Sequence, residues 1–244
     1  MKEYALIGYP LTHSFSKKYF TEKFEADNIK NCVYNLYELP DINGFPELLK
    51  AHPNLAGLNV TIPHKEVVIP FLDEVEEEAA KIGAVNVIKF TDGKIKGFNS
   101  DYQGFMQSLQ KFYPCSPGSK ALILGTGGAA KAVMAALDFL QITYKTVSRK
   151  PESGQLHYDA ITPELLASYT LIINTTPLGT YPNTATCPSI PYQALTEEHY
   201  LYDLVYNPSE TVFLKKGKEA GAHSKNGYEM LCLQAEVAWQ IWNS

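Results

Sequence analysis

Lys120-Ala-Leu-Ile-Leu-Gly125-Thr-Gly127-Gly128-Ala129-Ala130-Lys-Ala-Val-Met-Ala-Ala-Leu137 is the stretch from which the fold is read. Ala121 to Leu124 is an apolar run of strand length that stops at a glycine turn, and the alanine-rich stretch beyond it reads as a helix. Gly125, Gly127 and Ala130 stand at the spacing G-x-G-x-x-[GA]. In such a loop one glycine makes the turn, one lets the backbone approach a pyrophosphate, and the last small residue lets the helix pack closely. The helix N-terminus then offers unpaired N–H groups and a positive dipole end to the phosphates. Glycines in this pattern also make tight turns that bind nothing, so both readings stand on the pattern alone.

The next strand, Tyr144-Lys-Thr-Val-Ser148-Arg149-Lys150, bears on the cofactor. A dinucleotide site carries an acidic residue about 20 positions on, gripping the ribose 2′-hydroxyl of NAD, whereas arginine there suits the 2′-phosphate of NADP. Ser148-Arg149-Lys150 favours NADP, since two cations meet a dianionic phosphate and Arg149 offers a planar fork of donors. The plainer alternative is two solvated charges at a strand end.

Upstream, residues 3 to 8 read as a strand ending at Gly8, and Tyr9 to Ser16 as a loop that enters a helix over 17–26. Ser14 and Ser16 suit N-capping at that junction, and equally a hydroxyl pair for a carboxylate. A strand at 32–36 and a helix around 42–51 lead to Gly57-Leu58-Asn59-Val60-Thr61-Ile62-Pro63-His64-Lys65-Glu66. Leu58, Val60 and Ile62 alternate with Asn59 and Thr61, which describes a strand with one polar face; Pro63 is expected to end it and to start a helix carrying Lys65. Asn59, Thr61 and Lys65 then lie near one mouth, although a lone lysine is ordinarily a solvated surface residue. Two further strands are interrupted by Asn86 and by Asn99 and Asp101, with Asp92-Gly93 as the hairpin turn between them. The run suggests a mixed sheet with helices on its faces, one domain to about residue 101, followed by a helix over 102–112.

Downstream of Lys150, Pro151 to Gly154 is a turn too short for the crossover that parallel strands need. Leu156 to Ile161 is therefore expected to be an antiparallel edge strand or irregular. Thr162-Pro163-Glu164 caps a short helix, 170–176 and 200–205 read as buried strands, and 211–220 reads as a helix. A final helix over 229–242 has an apolar stripe through Met230, Leu231, Val237, Ala238 and Ile241; Gln234 is polar within it, ordinarily an exposed position.

The composition of the 244 residues, 45% hydrophobic and 19% charged, describes a soluble globular protein with room for one large or two modest domains. A net charge of −5 gives no broad attraction to nucleic acid or anionic membrane, so anionic ligands must be caught by local sites. No apolar run has the length of a membrane span and no cleavable leader precedes the first strand, which leads to the expectation of a cytoplasmic protein. Cys32, Cys115, Cys187 and Cys232 lie far apart without neighbouring histidines, so neither a disulfide framework nor a metal site is expected.

Taken together, the motifs resemble the shikimate dehydrogenase family over nearly the whole chain. Gly8-x-Pro10-x-x-His13-Ser14-x-Ser16 is similar to the family's substrate-carboxylate loop, Asn59-Val60-Thr61-x-Pro63-x-Lys65-Glu66 to its lysine motif, and Asn99-x-Asp101-x-x-Gly104 to its aspartate motif. Gly125-x-Gly127-Gly128-Ala129 resembles its cofactor loop. Asn174-Thr175-Thr176-Pro177-x-Gly179, Tyr202-Asp203-x-x-Tyr206-x-Pro208-x-x-Thr211 and Gly227-x-x-Met230-Leu231-x-x-Gln234 complete the set in order. The chain departs from the family pattern at Ser16-Lys17-Lys18-Tyr19, where members have Ser-Pro-x-x-His, at Ser100 and Val87, where they have threonine, and in lacking a helix after the strand that ends at Lys150.

The resemblance implies an α/β protein of two domains: a substrate-binding and catalytic mixed-sheet domain, residues 1–101 plus 228–244 with the C-terminal helix returning to it, and a Rossmann-type NADP domain, residues 102–227. It implies reversible reduction of 3-dehydroshikimate to shikimate with NADPH, with Lys65 as proton donor and Asp101 orienting it. Asn59, Thr61, Asn86 and Gln234 would hold the ring hydroxyls, and Ser14 and Ser16, with Tyr206, the carboxylate. NADP contacts would come from Gly125, Gly127, Gly128 and Ala129, from Ser148, Arg149 and Lys150, and from Thr175, Gly227 and Met230. The expected partner is a small-molecule acid, and the working unit a monomer or homodimer. The rivals are a quinate or quinate/shikimate enzyme, with NAD as its cofactor, and a non-catalytic sensor of NADP(H) or a shikimate-like acid; an intact Lys65 and Asp101 argue against the sensor.

Overall fold

Along the first strand of the computed structural model, which describes residues 1–11 and 14–244, Tyr4 and Leu6 join one buried cluster and Ala5 and Ile7 another. A strand that buries both faces needs cover on both sides of its sheet. His13 of the carboxylate-loop motif, with Thr12, lies outside the described residues. The chain runs from this strand, β1 (Lys2–Gly8), through α1 (Phe15–Ala26), β2 (Cys32–Glu38), α2 (Phe45–Ala51), β3 (Leu55–Val60), β4 (Glu74–Val75), α3 (Glu77–Ile82), β5 (Val87–Thr91) and β6 (Lys94–Phe98) into α4 (Asp101–Phe112). Its sheet has the order β2-β1-β3-β5-β6-β4. β1 is parallel to β2 and β3, and β5 is antiparallel to both β3 and β6. Asp92 and Gly93, at φ 51° and 76°, make the tight turn between β5 and β6, where both central residues need positive φ.

The second half of the chain gives β7 (Lys120–Leu124), α5 (Gly128–Phe139), β8 (Thr143–Ser148), β9 (Leu156–His157), α6 (Pro163–Ser168), β10 (Leu171–Asn174), β11 (Tyr200–Asp203), α7 (Val212–Glu219), β12 (His223–Lys225) and α8 (Tyr228–Asn243). These strands form a parallel sheet in the order β12-β11-β10-β7-β8-β9. Numbered within this half, the order is 3-2-1-4-5-6, the Rossmann arrangement, whose switch point falls between β7 and β10. The described residues divide into two compact units, Met1–Gln103 with Gln234–Ser244 and Gly104–Leu233, so the boundaries fall inside α4 and α8. In the first unit, Phe20 and Phe24 of α1 and Ala235, Ala238 and Trp242 of α8 cover the face with Tyr4; Phe45 of α2 and Ala79 of α3 cover the other.

Two local expectations are corrected. No helix carries Lys65: residues 62–68 are turns leading to a single 3-10 turn at Ile69–Phe71. A helix running on from Pro63 meets Pro70, which lacks an N–H and would set its ring against the carbonyl of Glu66. The second correction concerns β9, which is parallel to β8. Leu156 pairs with Val147 and His157 with Ser148, so β9 starts level with the end of β8 and the chain only steps sideways. A crossover helix is needed only where the chain must return the length of a strand. β4 and β12 were not expected from the sequence; at two and three residues each is too short to show an alternating pattern.

At the ends of β10 and β11 a fully buried carboxylate, Asp203, accepts hydrogen bonds from Thr211 Oγ1 at 2.6 Å, Asn174 Nδ2 at 2.9 Å and the Val205 amide at 3.0 Å. Burial pushes it up to about 6 despite these bonds. The folded state therefore holds this proton more tightly than the unfolded chain, and Asp203's contribution to stability, full below the ordinary value of 3.8, is lost as pH rises through about 6. The shift corresponds to on the order of 3 kcal/mol. Asp203→Asn cannot titrate, so its melting temperature relative to wild type should climb between pH 4 and pH 7. A difference that stays constant over that range in calorimetric scans would show that Asp203 does not titrate there.

Candidate active site

One end of the first sheet collects polar residues. β3 ends at Val60, antiparallel β5 begins at Val87 and β6 ends at Phe98, so the segments flanking these points meet at one sheet edge. Lys65 Nζ donates to Asp101 Oδ2 at 2.6 Å, with the lysine side chain 30% exposed and the aspartate 16%. Asn86 Nδ2 donates to the other carboxylate oxygen at 2.9 Å and to Ser100 Oγ at 3.0 Å. Ser100 Oγ in turn donates to Gln234 Oε1 at 3.2 Å, and Asn86 Nδ2 lies 3.4 Å from the same oxygen. Gln234 is thus 8% exposed, a buried amide where a helix stripe alone suggested a solvated one. Both carboxylate oxygens of Asp101 are engaged, which offsets part of the cost of withdrawing a charge pair from water.

The backbone holds these groups in place. Asn99 Oδ1 accepts from the amides of Asp101 and Tyr102 and so caps the start of α4, while Asn99 Nδ2 donates to the Ala84 carbonyl at 2.9 Å. The Lys65 carbonyl accepts from the Val85 amide at 2.7 Å, which ties the turn carrying the lysine to the entry of β5. His64, 2% exposed, hydrogen-bonds the Leu39 carbonyl through Nε2 and anchors the same turn from its other side. A second branch runs through Tyr34, whose hydroxyl donates to Asn59 Oδ1 at 2.7 Å. Asn59 Nδ2 reaches the Asn86 carbonyl at 3.3 Å and joins the two branches.

Asn59, Lys65, Asn86, Asp101 and Gln234 therefore belong to one hydrogen-bonded constellation, while Ser16 stands in the first turn of α1. Thr61 follows β3 directly, its amide bonded to the Ile7 carbonyl at 2.9 Å. Ser14 caps α1, with Oγ accepting from the Lys17 amide at 3.4 Å. Tyr206 lies in the second unit, 38% exposed, its phenol pushed up by burial. Sequence reasoning missed Tyr34, the one buried residue of the half-buried strand β2, where its hydroxyl must find a partner.

The second unit carries the nucleotide candidates at its switch point. Gly125 has φ +113°, and a Cβ there would press on the Thr175 hydroxyl, so the turn after β7 requires glycine. Thr175 Oγ1 donates to the Leu124 carbonyl at 2.9 Å, locking the ends of β7 and β10 together. At Gly127 an added Cβ would meet nothing within 4 Å, and the first turn of α5, with Gly128 and Ala129 exposed, has no side-chain cap. Those features leave room and N–H groups for a phosphate. Ser148 Oγ accepts from the Lys150 amide at 3.2 Å and turns the chain so that Arg149 and Lys150 are exposed. Gly227 is glycine because a Cβ would collide with the Leu204 carbonyl, and Met230, one turn into α8, is partly buried.

A Rossmann unit with an uncapped helix start, in one chain with a unit that holds a lysine–carboxylate pair among buried amides, defines a nucleotide-dependent oxidoreductase. Residues 6–88 match the family model for the shikimate dehydrogenase substrate binding domain. A shikimate dehydrogenase (NADP(+)) of Carboxydothermus hydrogenoformans is 40% identical over 255 aligned residues, covering 97% of this chain and 90% of that protein. Among solved structures, a chorismate mutase/shikimate 5-dehydrogenase fusion protein from Clostridium acetobutylicum matches with a TM-score of 0.89 and 37% identity, over 100% of this chain and 91% of the other. The enzyme of Thermus thermophilus in complex with NADP(H) and shikimate gives a TM-score of 0.86 and 30% identity, over 99% and 92%. The chain belongs to the shikimate dehydrogenase family.

Proposed function

We propose that the chain catalyses the reversible, NADP-dependent reduction of 3-dehydroshikimate to shikimate, a step of aromatic amino acid biosynthesis, as a cytoplasmic monomer or homodimer. The observation that carries this reading is the Lys65–Asp101 pair at 2.6 Å, set among Asn59, Asn86 and Gln234 in a chain of this family. The residues are those a polyhydroxylated acid requires: amides that donate to and accept from ring hydroxyls, serine hydroxyls for the carboxylate, and one mobile proton beside the carbonyl.

Residues of the first unit do the acid–base work. Lys65 gives a proton from Nζ to the oxygen of the carbonyl as it becomes a hydroxyl, and takes it back in the opposite direction. Its partial exposure lets water restore that proton. Asp101 keeps the ammonium aimed and accepts from the neighbouring hydroxyl, while Asn86 holds the carboxylate by its second oxygen. Ser14 and Ser16 donate to the substrate carboxylate, and Asn59, Thr61 and Gln234 fix the remaining hydroxyls.

The second unit fits NADP by its own features: the uncapped start of α5, the open space at Gly127, and exposed Arg149 and Lys150 at the end of β8. Gly125, Gly127, Gly128 and Ala129 would cradle the pyrophosphate, Ser148, Arg149 and Lys150 the 2′-phosphate, and Thr175, Gly227 and Met230 the remainder of the cofactor. When bound, the reduced cofactor supplies the hydride.

The test is a set of initial rates with shikimate or quinate, each paired with NADP or NAD. The expected result is turnover chiefly with shikimate and NADP. Preference for quinate or NAD would overturn the specificity assignment, and silence in all four pairings from folded protein that still binds NADP would overturn catalysis itself.

A further inference from the structure

We propose that Tyr34 is a positioning residue for substrate recognition: its hydroxyl fixes the Asn59 amide so that nitrogen, not oxygen, is the group offered to a hydroxyl of the bound acid. The proposal rests on the assignment of Asn59 to the substrate site made above. Tyr34 is 3% exposed and its ring stacks on Phe20, centroids 4.7 Å apart with 13° between the planes. Held this way, the ring leaves its O–H few directions, and the proton goes to Asn59 Oδ1 at 2.7 Å. Burial pushes the phenol far above its ordinary range, so it remains a neutral donor.

The other face of the amide is fixed by a second bond, Asn59 Nδ2 to the Asn86 carbonyl at 3.3 Å. Turned over, the amide would set its oxygen against that carbonyl and its nitrogen against the Tyr34 proton. Buried mismatches of this kind cost more than the hydrogen bonds they replace, so one orientation dominates. With Oδ1 taken by Tyr34 and one N–H taken by Asn86, the donor that Asn59 has left is its second N–H.

Ser16 is assigned above to the substrate carboxylate, a contact separate from the Asn59 amide that Tyr34 holds. The two contacts are therefore separable by experiment.

Tyr34→Phe keeps the ring and its stack on Phe20 and removes only the hydroxyl. In steady-state assays with shikimate and NADP it should raise KM for shikimate about tenfold, the scale of one lost buried hydrogen bond, with kcat within roughly threefold of wild type. KM for NADP should not move, whereas a general loss of structure would move it. Added to Asn59→Ala, Tyr34→Phe should have no further effect; added to Ser16→Ala, its full effect should persist. Asn59→Asp, which keeps the acceptor for Tyr34 but replaces the remaining donor by an acceptor, should raise KM for shikimate more than Tyr34→Phe does. A change below twofold in Tyr34→Phe, an undiminished effect in the Asn59→Ala background, or a normal KM in Asn59→Asp would overturn the proposal. If wild type itself fails to oxidise shikimate, the functional reading falls and this proposal with it; normal wild-type turnover beside an unaffected Tyr34→Phe overturns the role of Tyr34 alone.

Discussion

Lys65→Ala lowers turnover roughly 10²- to 10⁴-fold, the usual span for a positioned acid–base group, with a much smaller change in KM for shikimate. The split follows from what the lysine does. Its proton is needed only as the carbonyl oxygen gains charge, whereas the hydroxyls and carboxylate of the substrate are held by Asn59, Asn86, Gln234 and the serines in both ground and transition states. Removing Lys65 also leaves Asp101 without its cationic partner, but Asn86 still donates to Oδ1 at 2.9 Å and the Asp101 amide is still capped by Asn99. The carboxylate therefore stays in place, and the variant should fold and bind NADP normally. Lys65→Arg tests the proton apart from the charge: arginine keeps the positive partner for Asp101 yet does not give up a proton at neutral pH. It should remain as impaired in turnover as the alanine variant to within about tenfold. Near-normal turnover in Lys65→Ala would show that the proton comes from elsewhere.

How far such a site can be read from sequence depends on whether a residue's role is local. The Gly125 turn was legible because positive φ and close approach are properties of a few consecutive residues, and the structure gives both. The alternation through Leu58, Asn59 and Val60 likewise identified β3, but the expected polar face is absent there: Asn59 is buried, and Ile62, read as part of the apolar face, lies past the strand and exposed. Lys65 was different: only resemblance lifted it above a surface lysine, and its supposed helix does not form. What holds it is non-local, the Val85 amide on its carbonyl and buried His64 against Leu39. Gln234 shows the same limit, since its burial depends on Ser100 and Asn86, more than 130 residues earlier in the chain. The order of strands around β8 failed for a geometric reason, because loop length excludes a parallel partner only if the chain must retrace a strand, and the stagger of β9 was not encoded in that length.

Trp242→Ala should cost about 3–5 kcal/mol, the usual loss for truncating a large buried aromatic, and should act on the first unit. Trp242 is 5% exposed, packs with Tyr4 at 4.8 Å and Phe20 at 5.3 Å between ring centroids, and donates from Nε1 to the Ile88 carbonyl at 3.0 Å. Truncation thus opens a cavity and strands a buried carbonyl together. The last part of α8, which carries Gln234, packs on its sheet through this side chain together with Ala235 and Ala238, so KM for shikimate should rise while KM for NADP changes little. Urea denaturation followed by the fluorescence of Trp239, the remaining tryptophan, reads the stability of that unit directly. Gly57 supplies the complementary test. A Cβ there would overlap the Trp242 indole, so Gly57→Ala should destabilise by about 1–3 kcal/mol through overpacking. In the double variant the new methyl enters the space the indole has left, and the cost of Gly57→Ala should shrink towards zero or reverse. Strict additivity would mean that the glycine answers to some other neighbour, and that the indole lying flat on β3 is not what holds α8 to the sheet.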